Sequence, residues 1–110
     1  MKILLVNPNA TASMTDKIAA SARRVAGPDV EIVARTGEGS PASIEGHHDE
    51  AMSVPALLRH VREGEREGVA GVVVACFDDP GIGACRELAS GPVIGIAEAA
   101  MKAATMLATS

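Results

Sequence analysis

The residue best placed to do chemistry is Cys76. It ends the apolar run Gly71-Val72-Val73-Val74-Ala75 and is followed at once by Phe77 and the turn sequence Asp78-Asp79-Pro80-Gly81. A thiolate at the carboxyl end of a buried strand can take a proton from carbon or attack a carbonyl. A helix starting just beyond it would favour thiolate over thiol and lower its pKa from the ~8.5 reference. Packing is the competing reading, because small buried thiols are common in strands. On this segment alone both stay open. Cys85 falls mid-helix between Ala84 and Arg86 and reads as structural. A Cys-x8-Cys spacing matches no redox or zinc motif.

Polar groups that could serve such a thiol stand at other expected strand ends. Asn7 could donate to a developing enolate oxygen and Ser43 to a substrate carbonyl, although both also suit turns. Asp78 shares the rim with Cys76 and is otherwise a turn residue. Glu98 could position a ligand, or simply compensate the first turn of a helix. Adjacent His47 and His48 do not share one helical face, so a solvated loop is favoured over a metal site, and no metal is assigned.

The elements that must position these groups alternate strand and helix. Ile3–Val6 is a continuous apolar run, as in a strand covered on both faces. Ser13 and Asp16 have capping-box spacing, with Thr11 or Asn9 as alternative caps; Met14, Ile18, Ala22 and Val25 follow at helical spacing until Gly27-Pro28. Val30–Ala34 predicts a second strand, followed by a polar surface loop. A second helix is expected over Asp49–Glu63, facing inward through Met52, Ala56, Leu57 and Val61, with Pro55 tolerable only near its first turns. The segment 68–77 predicts the third strand, with Asp79-Pro80 opening a helix to about Ala89. Val93–Glu98 predicts the fourth strand, and a last helix is expected from Ala97 to the end.

This βαβαβαβα order implies an α/β fold, an open parallel sheet with right-handed crossovers and helices on both faces. If the strand order is 2-1-3-4, the switch point lies between the first and third strands, which brings Asn7 and Cys76 to one cleft. The 110 residues suffice for one domain. A chain closing on an apolar helix after four strands reads as a lobe cut short. Net charge is −4, aromatics are reduced to one Phe, and no basic patch is denser than Arg23-Arg24, so no nucleic-acid partner is expected. No apolar stretch approaches the ~20 residues of a membrane span. The start is too short in its apolar run for a signal peptide, which with two cysteines suggests a cytoplasmic protein with free thiols.

Four segments together resemble a known family. "KILLVNPNATASMT", "GPDVEIVARTGEGSPASIEGHHDEA", "VVVACFDDPG" and "GPVIGIAEAAM" look like the amino-terminal half of the aspartate/glutamate racemase superfamily, in its hydantoin racemase branch. The resemblance implies cofactor-independent racemisation of a small-molecule substrate, a 5-substituted hydantoin or a related ureide such as allantoin. It implies two cysteines on opposite faces of that substrate, of which Cys76 matches the first. It places Asn7 beside that thiol and Ser43 and Phe77 in pocket-lining segments, and it implies a homo-oligomer. Family members carry two similar lobes, and the second cysteine belongs to the other one. Residues 1–110 then form an incomplete amino-terminal lobe, inactive alone. A non-catalytic binding or oligomerisation domain, pairing through its last helix and sheet edge, is the alternative.

Overall fold

In a computed structural model, which describes residues 1–108, four strands and four helices alternate along the chain. They are β1 (Lys2–Asn7), α1 (Ala12–Val25), β2 (Glu31–Thr36), α2 (His47–Arg66), β3 (Gly71–Val74), α3 (Ile82–Leu88), β4 (Val93–Gly95) and α4 (Ile96–Leu107). All strand pairs are parallel, in the order β2-β1-β3-β4 expected from the sequence. Val6 lies opposite Arg35 on one side and Val74 on the other, and Val74 lies opposite Gly95. The carboxyl ends of the four strands therefore rim one edge.

Strand alternation divides the core between two faces. Leu4 and Val6 of β1, Val72 and Val74 of β3 and Val93 of β4 meet Leu57 and Val61 of α2 and Cys85 of α3. Apart from the Cys85 thiol those side chains are aliphatic, and all are almost wholly shielded from water. Each Leu or Val is worth roughly 1.5–3 kcal/mol on burial. On the other face α1 lies against β1 and β2, contributing buried Thr15 and Ala19. Past α1, towards β4, this face is open: Ile94 is 44% exposed and α4 buries no residue.

Several element boundaries differ from expectation for identifiable reasons. Helix α1 starts after Thr11, and Ser13 lies inside it with no capping role. The orphan N–H of Thr11 is instead satisfied by Asn9 Oδ1 at 2.9 Å. Val25 and Met52, expected inward, are exposed, and polar Thr15 and Ser53 take buried positions by finding hydrogen-bond partners. Helix α2 runs beyond both expected ends, with Pro55 in its interior and exposed, where the missing N–H faces water rather than core. Strand β3 stops at Val74 and β4 at Gly95, both earlier than expected. Residues 109 and 110, expected in the last helix, lie outside the described residues.

The turn after Cys76 shows the largest departure. Asp79-Pro80 does not open α3, whose N-cap is Gly81 at φ 66. Asp79 itself has φ 46, and its carboxylate reaches across to β4–α4. Oδ1 accepts from Ala97 N–H at 3.1 Å and Oδ2 from Glu98 N–H at 2.9 Å. Asp79 is thus the carboxylate at the start of α4, satisfying two N–H groups that the helix cannot. A Cβ at Gly95 would press on that carboxylate and push it off the α4 N–H groups.

Cys85 is fully buried, as the sequence suggests, and burial pushes its thiol up to about 11. An unfolded chain would release that proton near ~8.5. Its raised folded value therefore adds stability that is complete below the unfolded pKa and fades as pH climbs towards the folded one. Urea unfolding should show a marked loss of stability between neutral pH and pH of about 10. Cys85→Ala should shrink that loss, whereas Cys85→Ser should cost about 1–3 kcal/mol at neutral pH by burying a hydroxyl without a partner.

Candidate active site

A cavity of about 300 Å³ opens at the carboxyl edge of the sheet, between the ends of β1 and β3. Cys76 lines it together with Ala75 and Phe77 from the segment after β3, Asn7 and Asn9 from the end of β1, and Ser43 and Ile44 from the loop after β2. Met14 and Ile18 of α1 and Ile96 of α4 complete its wall. Strand order explains this convergence. Successive crossovers leave β1 and β3 on opposite sides, so no connection covers the gap between their ends.

Of the residues singled out in the sequence, Cys76, Asn7, Ser43 and Phe77 meet at this cavity, while Asp78 and Glu98 do not line it. Asp78 borders an adjacent depression of about 250 Å³ shared with Glu45, His47 and Glu50. Among the described residues no group of three or more His, Cys, Asp or Glu side chains could hold a metal. Glu98 sits at the third position of α4, where it accepts from Gly95 N–H at 3.1 Å and pairs with Arg86. That is a helix-capping role. A larger groove of about 460 Å³ runs along α4 and Ile94, bordered by Glu98 and Lys102 and carrying no thiol.

The Cys76 thiol is partly buried, two residues beyond β3. Its pKa is raised, first by burial and then by the charges of Asp78, Asp79 and Glu50, with the backbone N–H of Asp78 acting against them. This corrects the expectation of a thiolate favoured by the following helix. Helix α3 starts only at Ile82, and the charges of Asp78, Asp79 and Glu50 act on the sulfur in the opposite sense. A raised pKa leaves less thiolate at neutral pH and makes that thiolate a stronger base.

Asn7 is 1% exposed, and its amide is committed. Nδ2 donates to Asn9 Oδ1 at 2.8 Å, Thr15 Oγ1 at 3.1 Å and the Thr11 carbonyl at 3.3 Å. Its Oδ1 accepts from the backbone N–H of Asn9 at 3.3 Å. Donation from Asn7 to a bound oxygen, expected from the sequence, has no free hydrogen to use. Gly37 packs against this turn, donating to the carbonyls of Asn7 at 2.7 Å and Asn9 at 2.9 Å, and a Cβ there would strike Pro8. The loop bearing Ser43 is held on by Ala10 N–H to the Pro41 carbonyl at 3.0 Å and by Thr11 Oγ1 to the Ala42 carbonyl at 2.7 Å. Ser43 is exposed at the rim, and Phe77 is 73% exposed.

Sequence reasoning missed part of the wall. Met14 and Ile18 have helical spacing and were expected in the core, yet they border the cavity. An apolar stripe on a helix beside a switch point serves either purpose, so periodicity alone does not separate them. Asn9 reads from the sequence as a possible cap and as part of the Asn7-Pro8-Asn9 segment at a strand end, with no role of its own at the cavity.

Known proteins share this sequence pattern and fold. The family model for Asp/Glu/Hydantoin racemase matches residues 3–110. The chain is 53% identical over 104 residues to a hydantoin racemase of Rhizobium meliloti, covering 94% of this chain and 43% of that protein. It is 45% identical to a hydantoin racemase of Pseudomonas sp. (strain NS671), covering 98% of this chain and again 43% of the relative. The solved allantoin racemase from Klebsiella pneumoniae superposes with a TM-score of 0.96 at 52% identity, covering 99% of this chain and 44% of that one. The chain thus spans less than half the length of these relatives. With the match running through nearly every residue, the chain belongs to the Asp/Glu/Hydantoin racemase family.

Proposed function

We propose that this chain is the amino-terminal, thiol-bearing lobe of a racemase acting on 5-substituted hydantoins or a related ureide such as allantoin, with Cys76 as one of two proton-transferring groups. The observation that carries the reading is the place of Cys76, at the cavity on the switch point of the sheet. The names of its relatives supply the substrate class. In such a ring the C5–H bond adjoins the C4 carbonyl. The Cys76 thiolate would take the C5 proton. The C5–H bonding pair would form the C5–C4 double bond while the C4 carbonyl π pair moves onto its oxygen, giving the enolate. A thiol on the opposite face would then return a proton to C5 and become the thiolate. The adjacent carbonyl provides the acidity, so the scheme requires no organic cofactor or metal.

Cys85 cannot be the second thiol, because it is fully buried in α3 behind the sheet. This lobe alone should therefore work on one face. Proton NMR with an enantiopure 5-substituted hydantoin in deuterated buffer should show loss of the C5 proton signal while optical rotation persists. Cys76→Ser should lower that exchange by at least a hundredfold, the usual scale for losing a general base. Exchange of equal rate in Cys76→Ser would remove Cys76 from the mechanism, and equal rates of exchange and racemisation would mean that a second base is present.

The charges around the thiol set the pH profile. Exchange and iodoacetamide alkylation at Cys76 should rise together with pH, with a midpoint above that of an ordinary thiol. Asp78 raises the thiol pKa through its charge, while its backbone N–H lowers it. Asp78→Asn removes only the charge, so the midpoint should move to lower pH. An unmoved or higher midpoint would show that this carboxylate does not act on the sulfur.

A second reading, a lobe whose role is assembly, rests on α4. Its Met101, Met106 and Leu107 are each more than two-thirds exposed, and nothing in the helix is buried. Sedimentation equilibrium should show self-association that weakens when Met101 and Met106 are changed to Gln. A monomer at every concentration reached would set this reading aside.

A further inference from the structure

Asn9 is more than nine-tenths shielded from water, yet half of its hydrogen-bonding capacity has no strong partner. Its Oδ1 accepts from Asn7 Nδ2 at 2.8 Å and from the Thr11 N–H at 2.9 Å. Two donors on one oxygen fix which end of the amide is which, since a flipped Asn9 would point N–H groups at N–H groups. The Nδ2 end is then directed to the α1 wall of the cavity, where it meets only the Met14 sulfur at 3.4 Å. A thioether is a weak acceptor, and an amide nitrogen carries two hydrogens. The backbone of Asn9 is pinned as well, its N–H to Asn7 Oδ1 and its carbonyl to Gly37 N–H. A buried donor held this rigidly, with a poor and replaceable partner, is a preformed site for an oxygen.

We propose that Asn9, rather than Asn7, is the side chain that recognises the substrate, donating from Nδ2 to the carbonyl oxygen next to the carbon that loses its proton. The inference rests on the racemase reading above and adds the group that orients the ring. Met14 is 45% exposed and flexible, so its sulfur can swing aside when a carbonyl or enolate oxygen, a far better acceptor, arrives. Asn7 then acts through Asn9. Its amide supplies one of the two hydrogen bonds that hold Asn9 Oδ1 inward and leave Nδ2 for the ligand. The donor shares its cavity with Cys76, as it must if the base and the polarised carbonyl are to engage neighbouring atoms of one small ring. Because the donor is set before the ligand binds, it would stabilise charge appearing on that oxygen without reorganising.

The test follows side-chain amide signals in nitrogen-15-labelled full-length chain during titration with a 5-substituted hydantoin. A parallel titration uses the corresponding cyclic urea, which lacks the C4 carbonyl. The hydantoin should shift the Asn9 NH₂ pair and leave the Asn7 pair nearly still, and the cyclic urea should leave both in place. Asn9→Asp keeps an oxygen for Asn7 and Thr11 while replacing the donor by an acceptor. It should weaken the hydantoin about tenfold, the worth of one hydrogen bond, and leave the weaker cyclic urea unchanged. Its added charge acts on Cys76 too, so binding is compared below the pH at which either protein's thiol begins to alkylate. Shifts at Ala75 to Phe77 with an unmoved Asn9 NH₂ pair would overturn the role of Asn9 and leave the racemase reading standing. Equal weakening of both ligands in Asn9→Asp would likewise overturn it, by making the residue structural. No shift at any cavity residue at saturating ligand would overturn both readings together.

Discussion

The buried primary amide of Asn7 is the constraint on which the carboxyl edge of the sheet depends. Leaving such a group unpaired out of water costs about 1–3 kcal/mol, so its neighbours must arrange themselves around it. Its partners come from the turn after β1, from the first residues of α1 and, through Thr15, from the end of β2, where the Thr15 and Thr36 hydroxyls meet at 2.8 Å. The Thr36 carbonyl in turn accepts from His60 Nε2 of α2 at 2.8 Å. One side chain thus links two strands and two helices at the point where the parallel sheet leaves its gap. The cavity inherits its shape from that network, and the orientation of Asn9 is one of its consequences.

A second constraint sets the electrostatics. The residue Asp79 holds a left-handed backbone conformation, which costs a non-glycine residue on the order of 1 kcal/mol. Two charge-assisted hydrogen bonds to the start of α4 offset that cost. The helix start that the sequence suggests for the Cys76 thiol is that of α3, which begins only at Ile82, while Asp79 is committed to α4. The thiol is left with partial burial and with Asp78, Asp79 and Glu50 for company, and its pKa moves up. For the proposed proton transfer this substitutes basicity for abundance, with fewer thiolates that each pull harder on a carbon acid.

The strand order and the convergence of Asn7, Ser43 and Cys76 were legible because they follow from topology. Alternating apolar runs and helical stretches allow few parallel arrangements, and each sends strand ends to one edge. What stayed hidden depended on contacts remote in sequence. Asp79 and Pro80 read as a helix start by every local rule, and only the presence of Gly95 and α4 eighteen residues on draws Asp79 away. Glu98 reads as a strand-end residue while β4 is extended past Gly95; with the strand ending there, the same carboxylate caps α4. Asn7 and Asn9 could not be ranked from sequence, since which amide is spent and which is spare is decided by side-chain hydrogen bonds.

The geometry of a parallel sheet also limits what one such edge can do. Groups at the carboxyl ends of β1 to β4 approach a bound ring from the sheet side alone. Inverting a carbon that becomes planar when its proton leaves requires a donor on the other side. Among the described residues the wall of the Cys76 cavity carries no second thiol. In relatives of which this chain covers less than half, the remaining length is available for that purpose. On the proposed reading, Cys76 as base and Asn9 as donor suit this edge to forming the enolate, and the stereochemical outcome is set by whatever meets the open face.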